Sequence, residues 1–314
     1  MISQRRSPIG RPAIASSTAA PSARTRWRWA YVLSSIVVVL VLLASLAGLL
    51  ADGVYGDVAS SAEMLRGYDL VTLVLIVPAL VLSQLSASRG SSRAQLIWVG
   101  MLAYLSYNYA YYLFGIPFSD LFLLHAAAFS SSLFALVLTV SALDVKGIAA
   151  GFSPRTPRRI VGAVLGLLAA ALGGIWVYAS IRFITTGELP VGSALVESDA
   201  VVQLGLALDL TVLVPAYALA AVLLWRRAAT GYVLATVLLI AGTLHQVSYM
   251  VALLFQSTAA VPGAVAFDPF EPVIAALYLA ATVAMMVAAG PRHQHSAAGR
   301  SADAQRHTAE AALP

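Results

Sequence analysis

The groups able to do chemistry in this chain are a carboxylate, two imidazoles, an amide and a set of phenols set in otherwise apolar sequence. They are Asp209, His125, His245, Asn108, Tyr111, Tyr112 and Tyr249. Ionisable groups inside a membrane span are costly and face a bundle interior or water, so each marks a candidate site. Counting along helices from the basic ends of the apolar segments puts Asp209 roughly 25 Å up, His245 about 24 Å, Asn108 roughly 22 Å and His125 about 28 Å. In a hydrocarbon core of about 30 Å all four lie in the outer third. Tyr104, Tyr107, Asn108, Tyr111 and Tyr112 would span about 140° of one helix, and His245, Ser248 and Tyr249 roughly 100° of another. If these faces converge they form an outward-opening polar pocket that binds or passes a small solute, with Asp209 and His245 exchanging protons with the outside.

Other chemistries find less support. With no cysteine, thiolate metal sites, iron–sulfur clusters and cysteine nucleophiles are absent. His125 and His245, at similar depth, could hold a haem or metal between two helices. There is no HExxH, P-loop or dinucleotide fingerprint, and Gly90-Ser-Ser92 lies far from either histidine. The reading is therefore against an enzyme. Its alternatives are a non-catalytic subunit of a membrane complex and a haem- or metal-binding redox protein. The pair His293 and His295 lacks further ligands and reads as part of a solvated tail.

Positioning such groups falls to apolar helices. Of 314 residues 60% are apolar and 11% charged, and the mean hydropathy is +0.84, which no single soluble core could hide. Spans of about 20 apolar residues are expected near 28–51, 69–88, 94–115, 119–143, 159–182, 201–225, 229–256 and 270–290. Seventeen of the nineteen Lys and Arg then fall on one side, leaving Arg66 and Arg182 opposite, among most of the acids. By the positive-inside rule both termini are cytoplasmic. The net charge of +5 is thereby an orientation signal, with no basic face for nucleic acid. Trp27, Trp29, Trp98 and Trp225 at inner helix ends and Trp176 at an outer end fit an aromatic belt. Asp209 is the one acid set well inside a span, while Asp69 stands at the outer end of another.

The expected fold is an all-α protein of the cytoplasmic membrane with eight transmembrane helices. Residues 1–26 and 291–314 read as disordered cytoplasmic tails around a bundle at 27–290, and the first span as retained rather than cleaved. Aligning 73–112 with 210–249 without gaps matches Val77-Pro78-Ala79 to Val214-Pro215-Ala216, Arg89 to Arg226 and Tyr112 to Tyr249. That match suggests a parallel four-plus-four repeat with halves 27–143 and 159–290. Pro78 and Pro215 should kink their helices. Gly162, Gly166, Ala170 and Gly174, at steps of four, form a small-residue face for close helix packing within the chain or in an oligomer.

The run Trp98-Val-Gly-Met-Leu-Ala-Tyr-Leu-Ser-Tyr-Asn-Tyr-Ala-Tyr-Tyr-Leu-Phe-Gly115, then Phe118-Ser-Asp-Leu-Phe-Leu-Leu, resembles a group of uncharacterised bacterial multi-pass membrane proteins. So does the Asp-Leu…Pro-Ala run that ends in Arg226-Arg227. The likeness covers most of the second to seventh spans and implies their architecture without an activity. Ser119 departs from it, standing where asparagine is usual. Eighteen Arg to one Lys fits a GC-rich bacterial source.

Overall fold

A computed structural model of the chain describes residues 23–56, 58–190 and 194–290; the two tails and the His293/His295 pair lie outside these. The helices are α1 (Ala23–Leu50), α2 (Ala59–Ser88) and α3, which runs Ser92–Ala110 and continues as a π turn, Tyr111–Gly115. There follow α4 (Phe122–Ala142), a short α5 (Val145–Ala150), α6 (Arg158–Thr186), α7 (Asp199–Trp225), α8 (Ala229–Thr258) and α9 (Phe270–Ala288). No strand occurs among the described residues, only an isolated bridge between Phe152 and Ala289.

Seven of these helices, not the expected eight, are long and apolar enough to cross a membrane. The one that falls short is α3, whose Gln95, Asn108 and tyrosines lower its hydropathy. Its environment explains the composition, because fourteen of the nineteen residues in Ser92–Ala110 are buried. Helix α3 packs on α2, α4 and α8, so its surface meets protein on most sides. Helix α8 is the other inner element, 61% buried along its apolar window against 17–39% for the remaining six. It contacts α2, α3, α7 and α9, while α1 lies on α4 and α6 on α7.

Each end of the bundle has its own polar chemistry. At one end Arg93 donates through Nε to the Ala289 carbonyl and through a terminal nitrogen to Val287 (3.3 Å), so a cation caps the orphan carbonyls of α9. Ser153 N–H donates to Ala288, Gly290 N–H to Gly151, and the Trp225 indole to the Arg159 carbonyl. This end gathers the basic loops. At the other end the two basic exceptions are paired with acids. Arg66 bridges Asp52 (3.1 Å) and Glu63 (3.3 Å), and Arg182 pairs with Glu188. Two tryptophans leave the expected belt: Trp98 is wholly buried and donates to Ser34 (3.0 Å), and Trp176 bonds a carboxylate.

Two segment boundaries also move. Helix α1 begins at Ala23, and α2 begins at Ala59 rather than near 69. Asp69 therefore sits well inside its helix, fully buried, and Asp209 is not the only intramembrane acid. Both α2 and α7 widen into π turns, Thr72–Ile76 and Asp209–Leu213, each ending directly before Val-Pro. Val77 N–H reaches the Thr72 carbonyl and Val214 N–H the Asp209 carbonyl, five residues back. Proline supplies no N–H, and the wider turn re-aims the carbonyls that precede it.

Close helix contacts fall on Gly162 of the expected stripe and on glycines outside it. A Cβ at Gly67 would stand 2.6 Å from the Ala252 Cα, so α2 and α8 touch backbone to backbone there. In the stripe, Gly162 lies against the Trp225 indole and Gly166 at ordinary contact distance from it, but nothing lies within 4 Å of a Cβ at Gly174. Gly67→Ala should thus cost about 1–3 kcal/mol, since backbone cannot yield as a flexible side chain can. Gly174→Ala should leave stability unchanged or slightly raised. Thermal unfolding of the two variants in detergent checks the contrast.

Candidate functional site

Helix α3 divides the intramembrane polar groups into two nests. In the first, Asp69 accepts from the Tyr55 hydroxyl and from the Tyr112 hydroxyl (3.0 Å), which also bonds the Leu65 carbonyl (3.1 Å). His125 is wholly buried beside it, stacked on Tyr55 and 4.9 Å from the Tyr112 ring centroid, and neither imidazole nitrogen has a protein partner. Gly48 makes room for this nest, because a Cβ there would collide with the Asp69 carboxylate and the Tyr55 hydroxyl. Desolvation, followed by the charge of Asp69, pushes the Tyr55 phenol well above its usual range.

The second nest is the end of a cavity of about 1320 Å³ walled by α3, α4, α6, α7, α8 and α9. Here Asp209 accepts from the Tyr107 hydroxyl (2.7 Å) and the Trp176 indole N–H (2.8 Å), and Tyr107 also bonds Tyr111 (3.1 Å). The His245 ring meets Tyr107 edge-on at 5.4 Å, and its Nδ1 has no protein partner. Consecutive tyrosines in the π turn of α3 thus serve different carboxylates, Tyr111 toward Asp209 and Tyr112 toward Asp69. Glu197 and Glu271 also line the cavity, the latter accepting from Gln246 (2.8 Å). No Lys or Arg does.

The segment carrying Glu197 is pinned from beneath. Leu195 N–H donates to the Tyr249 hydroxyl (3.1 Å), and Val196 N–H to Gln256 (2.9 Å). Gln256, wholly buried, in turn donates to the Val196 and Ser60 carbonyls (2.8 Å each).

Of the expected site residues, Asp209, His245, Tyr111 and Tyr249 share the cavity, while Tyr112 and His125 belong to the Asp69 nest. Asn108 is wholly buried, lines no part of the cavity, and has no protein partner for its amide. The two histidines pack in separate aromatic nests, and no three His, Cys, Asp or Glu side chains form a metal cluster among the described residues. Tyr107 belongs to the helix face expected to form the pocket, whereas Trp176, Glu197 and Asp69 are site residues that the sequence reading does not include. Trp176 resembles a belt tryptophan and Glu197 a loop acid. For Asp69 the matching Asp-Leu motifs were the available signal.

Architecture and site together define a polytopic helical membrane protein with a polar-ended internal cavity. The chain matches no known family model, no curated protein and no solved structure.

Glu197 lies in the loop before α7, where desolvation and then the neighbouring Asp209 charge raise its carboxyl from 4.5 to about 7. The folded protein therefore binds more protons than the unfolded chain between pH 4.5 and about 7. Stability should fall as pH rises through that window and level off above it, by on the order of 2 kcal/mol. Asp209, Glu271 and His245 share the cavity with Glu197, so the Glu197→Gln variant isolates its part. Thermal unfolding at pH 5 and pH 8 should show a smaller pH difference in that variant than in the wild type.

Proposed function

We propose that this chain is a multi-spanning membrane protein that binds a small cationic solute at the Asp209 end of the cavity. The observation carrying the reading is the charge of the lining: three carboxylates, Asp209, Glu197 and Glu271, with no Lys or Arg. A cation entering there meets carboxylate oxygens, the faces of Tyr107, Tyr111 and Trp176, and the unpaired Nδ1 of His245. Aromatic faces beside a carboxylate suit ammonium groups. Binding rather than passage is the favoured activity, because toward the basic end the walls are apolar residues such as Val233, Leu234 and Val237.

The same proposal includes α3 as an eighth, protein-shielded span, with both termini at the basic, cytoplasmic face. At about 1.5 Å per residue its length with the π turn is roughly 36 Å, enough to cross. The π turns of α2 and α7 fall at the same offset as the matched segments 73–112 and 210–249, which supports a parallel duplication. Kinship with the uncharacterised bacterial multi-pass group rests on the runs of α3 and α7 and is part of this reading.

Asp209→Asn keeps the shape and an acceptor for Tyr107 and removes the charge. It should weaken butylammonium binding by roughly thirtyfold, the usual cost of losing one partner of a buried charge pair. Isothermal calorimetry on purified protein checks this. Equal affinity in variant and wild type would overturn the cation reading.

A further inference from the structure

We infer that the cavity takes an amphiphile from the bilayer, a single-chain alkylammonium whose head lies at Asp209 and whose chain fills the apolar length below. This inference rests on the proposed cation site and adds the ligand class and its route. Three observations carry it.

The first is the shape of the space. The cavity extends along α8 from Tyr249 and His245 down to Thr230, and the fifteen residues from His245 to Thr230 cover roughly 22 Å. A small hydrated cation would occupy only the upper end. At about 1320 Å³ the space also exceeds the 300–1,000 Å³ or so that a compact small molecule usually fills.

The second is the distribution of polarity. Carboxylates, the indole, Tyr107 and Tyr111 cluster at the outer end, whereas Leu136, Ala171, Leu172, Val237 and Leu238 wall the stretch below, where the Tyr278 hydroxyl donates to that of Tyr217 (2.9 Å). An ammonium head joined to a hydrocarbon chain matches that order, and hydrocarbon belongs along walls that are mainly apolar.

The third is the side opening. Helix α4 packs on α1 and α3, and α6 on α7, and both α4 and α6 line the cavity. Side chains that line it and are also exposed mark the rim: Leu133 (40%) on α4, and Leu167 (60%) and Ile175 (61%) on α6. The rim is apolar on both helices and lies on apolar spans, so it faces hydrocarbon. An alkyl chain can pass it without leaving an apolar medium, while its head travels at the level of Asp209.

The test uses full-length protein in phosphatidylcholine nanodiscs, with labelled butylammonium and dodecylammonium in equilibrium dialysis against empty discs. Referred to free aqueous ligand, dodecylammonium should bind at least about a hundredfold more tightly, since each buried methylene is worth up to about fourfold. Leu136→Trp should erase that gain and spare butylammonium; Ala171→Trp serves if the first variant fails to fold. The chain has no cysteine, so Leu133→Cys with Ile175→Cys supplies unique thiols for a bismaleimide across the rim. Linking them should slow dodecylammonium association at least about tenfold, the diffusive route being closed, and leave butylammonium association unchanged. Equal affinity for the two amines would overturn the amphiphile while leaving the cation site standing. Binding of neither amine by the wild type would overturn both. An unchanged dodecylammonium rate after linking would overturn the lateral route.

Discussion

Lipid offers no hydrogen bonds, so a helix that carries phenols, amides and a glutamine through the bundle must be covered by others. Helix α3 is that helix, and the arrangement of the rest follows from covering it. Helices α2, α4 and α8 lie directly on it, and α1 closes over α4. Three of its phenols then find partners on neighbouring helices: Tyr104 with Ser248 of α8 (2.6 Å), Tyr107 with Asp209 of α7 (2.7 Å) and Tyr112 with Asp69 of α2 (3.0 Å). These bonds fix the rotation of α3 against three neighbours at once, so packing and site geometry have a common origin.

The two intramembrane carboxylates show how closure decides use. Asp69 is wholly buried and ringed by Tyr55, Tyr112 and the His125 nest. A Cβ at Gly48 would collide with its carboxylate, so the packing is tight on that side. Asp209 has two partners of similar kind, a phenol and an indole, yet stands at the end of a large cavity. Hydrogen bonding keeps each acid in place. Only the space beside it distinguishes a structural carboxylate from one that can meet a ligand.

Sequence alone made the membrane character, the basic and acidic ends and the approximate spans legible, because each depends on long averages of hydropathy and charge. It also flagged Asp209, His245, Tyr111 and Tyr249, all on the cavity. It erred where burial inside the protein replaced burial in lipid. Helix α3 lacks the apolarity of a span because protein covers it, and the start of α2 at Ala59 is hidden in the sequence because Ser60, Ser61, Glu63 and Arg66 resemble a loop. The same resemblance hides Asp69. Glu197 and Trp176 were illegible as site residues, since a loop acid and an interfacial tryptophan look alike wherever they point. Asn108 shows the converse: its residue type suggests a ligand, but it is buried off the cavity.

The two carboxylates sit on comparable helices. Helices α2 and α7 share a π turn directly before Val-Pro, but Asp69 stands three residues ahead of its π turn while Asp209 is the first residue of the other. Their surroundings differ. Helix α2 lies against α1, α3 and α8, and those contacts seal its carboxylate. Helix α7 lies mainly against α6 and α8, with the π turn of α3 beside its first half, and α6 stands away from α4. The space so left is the cavity, and its polar end falls where the π turn places Asp209. Around Asp69 the helices close completely. Around Asp209 the gap between α4 and α6 leaves a carboxylate open to whatever can enter beside it.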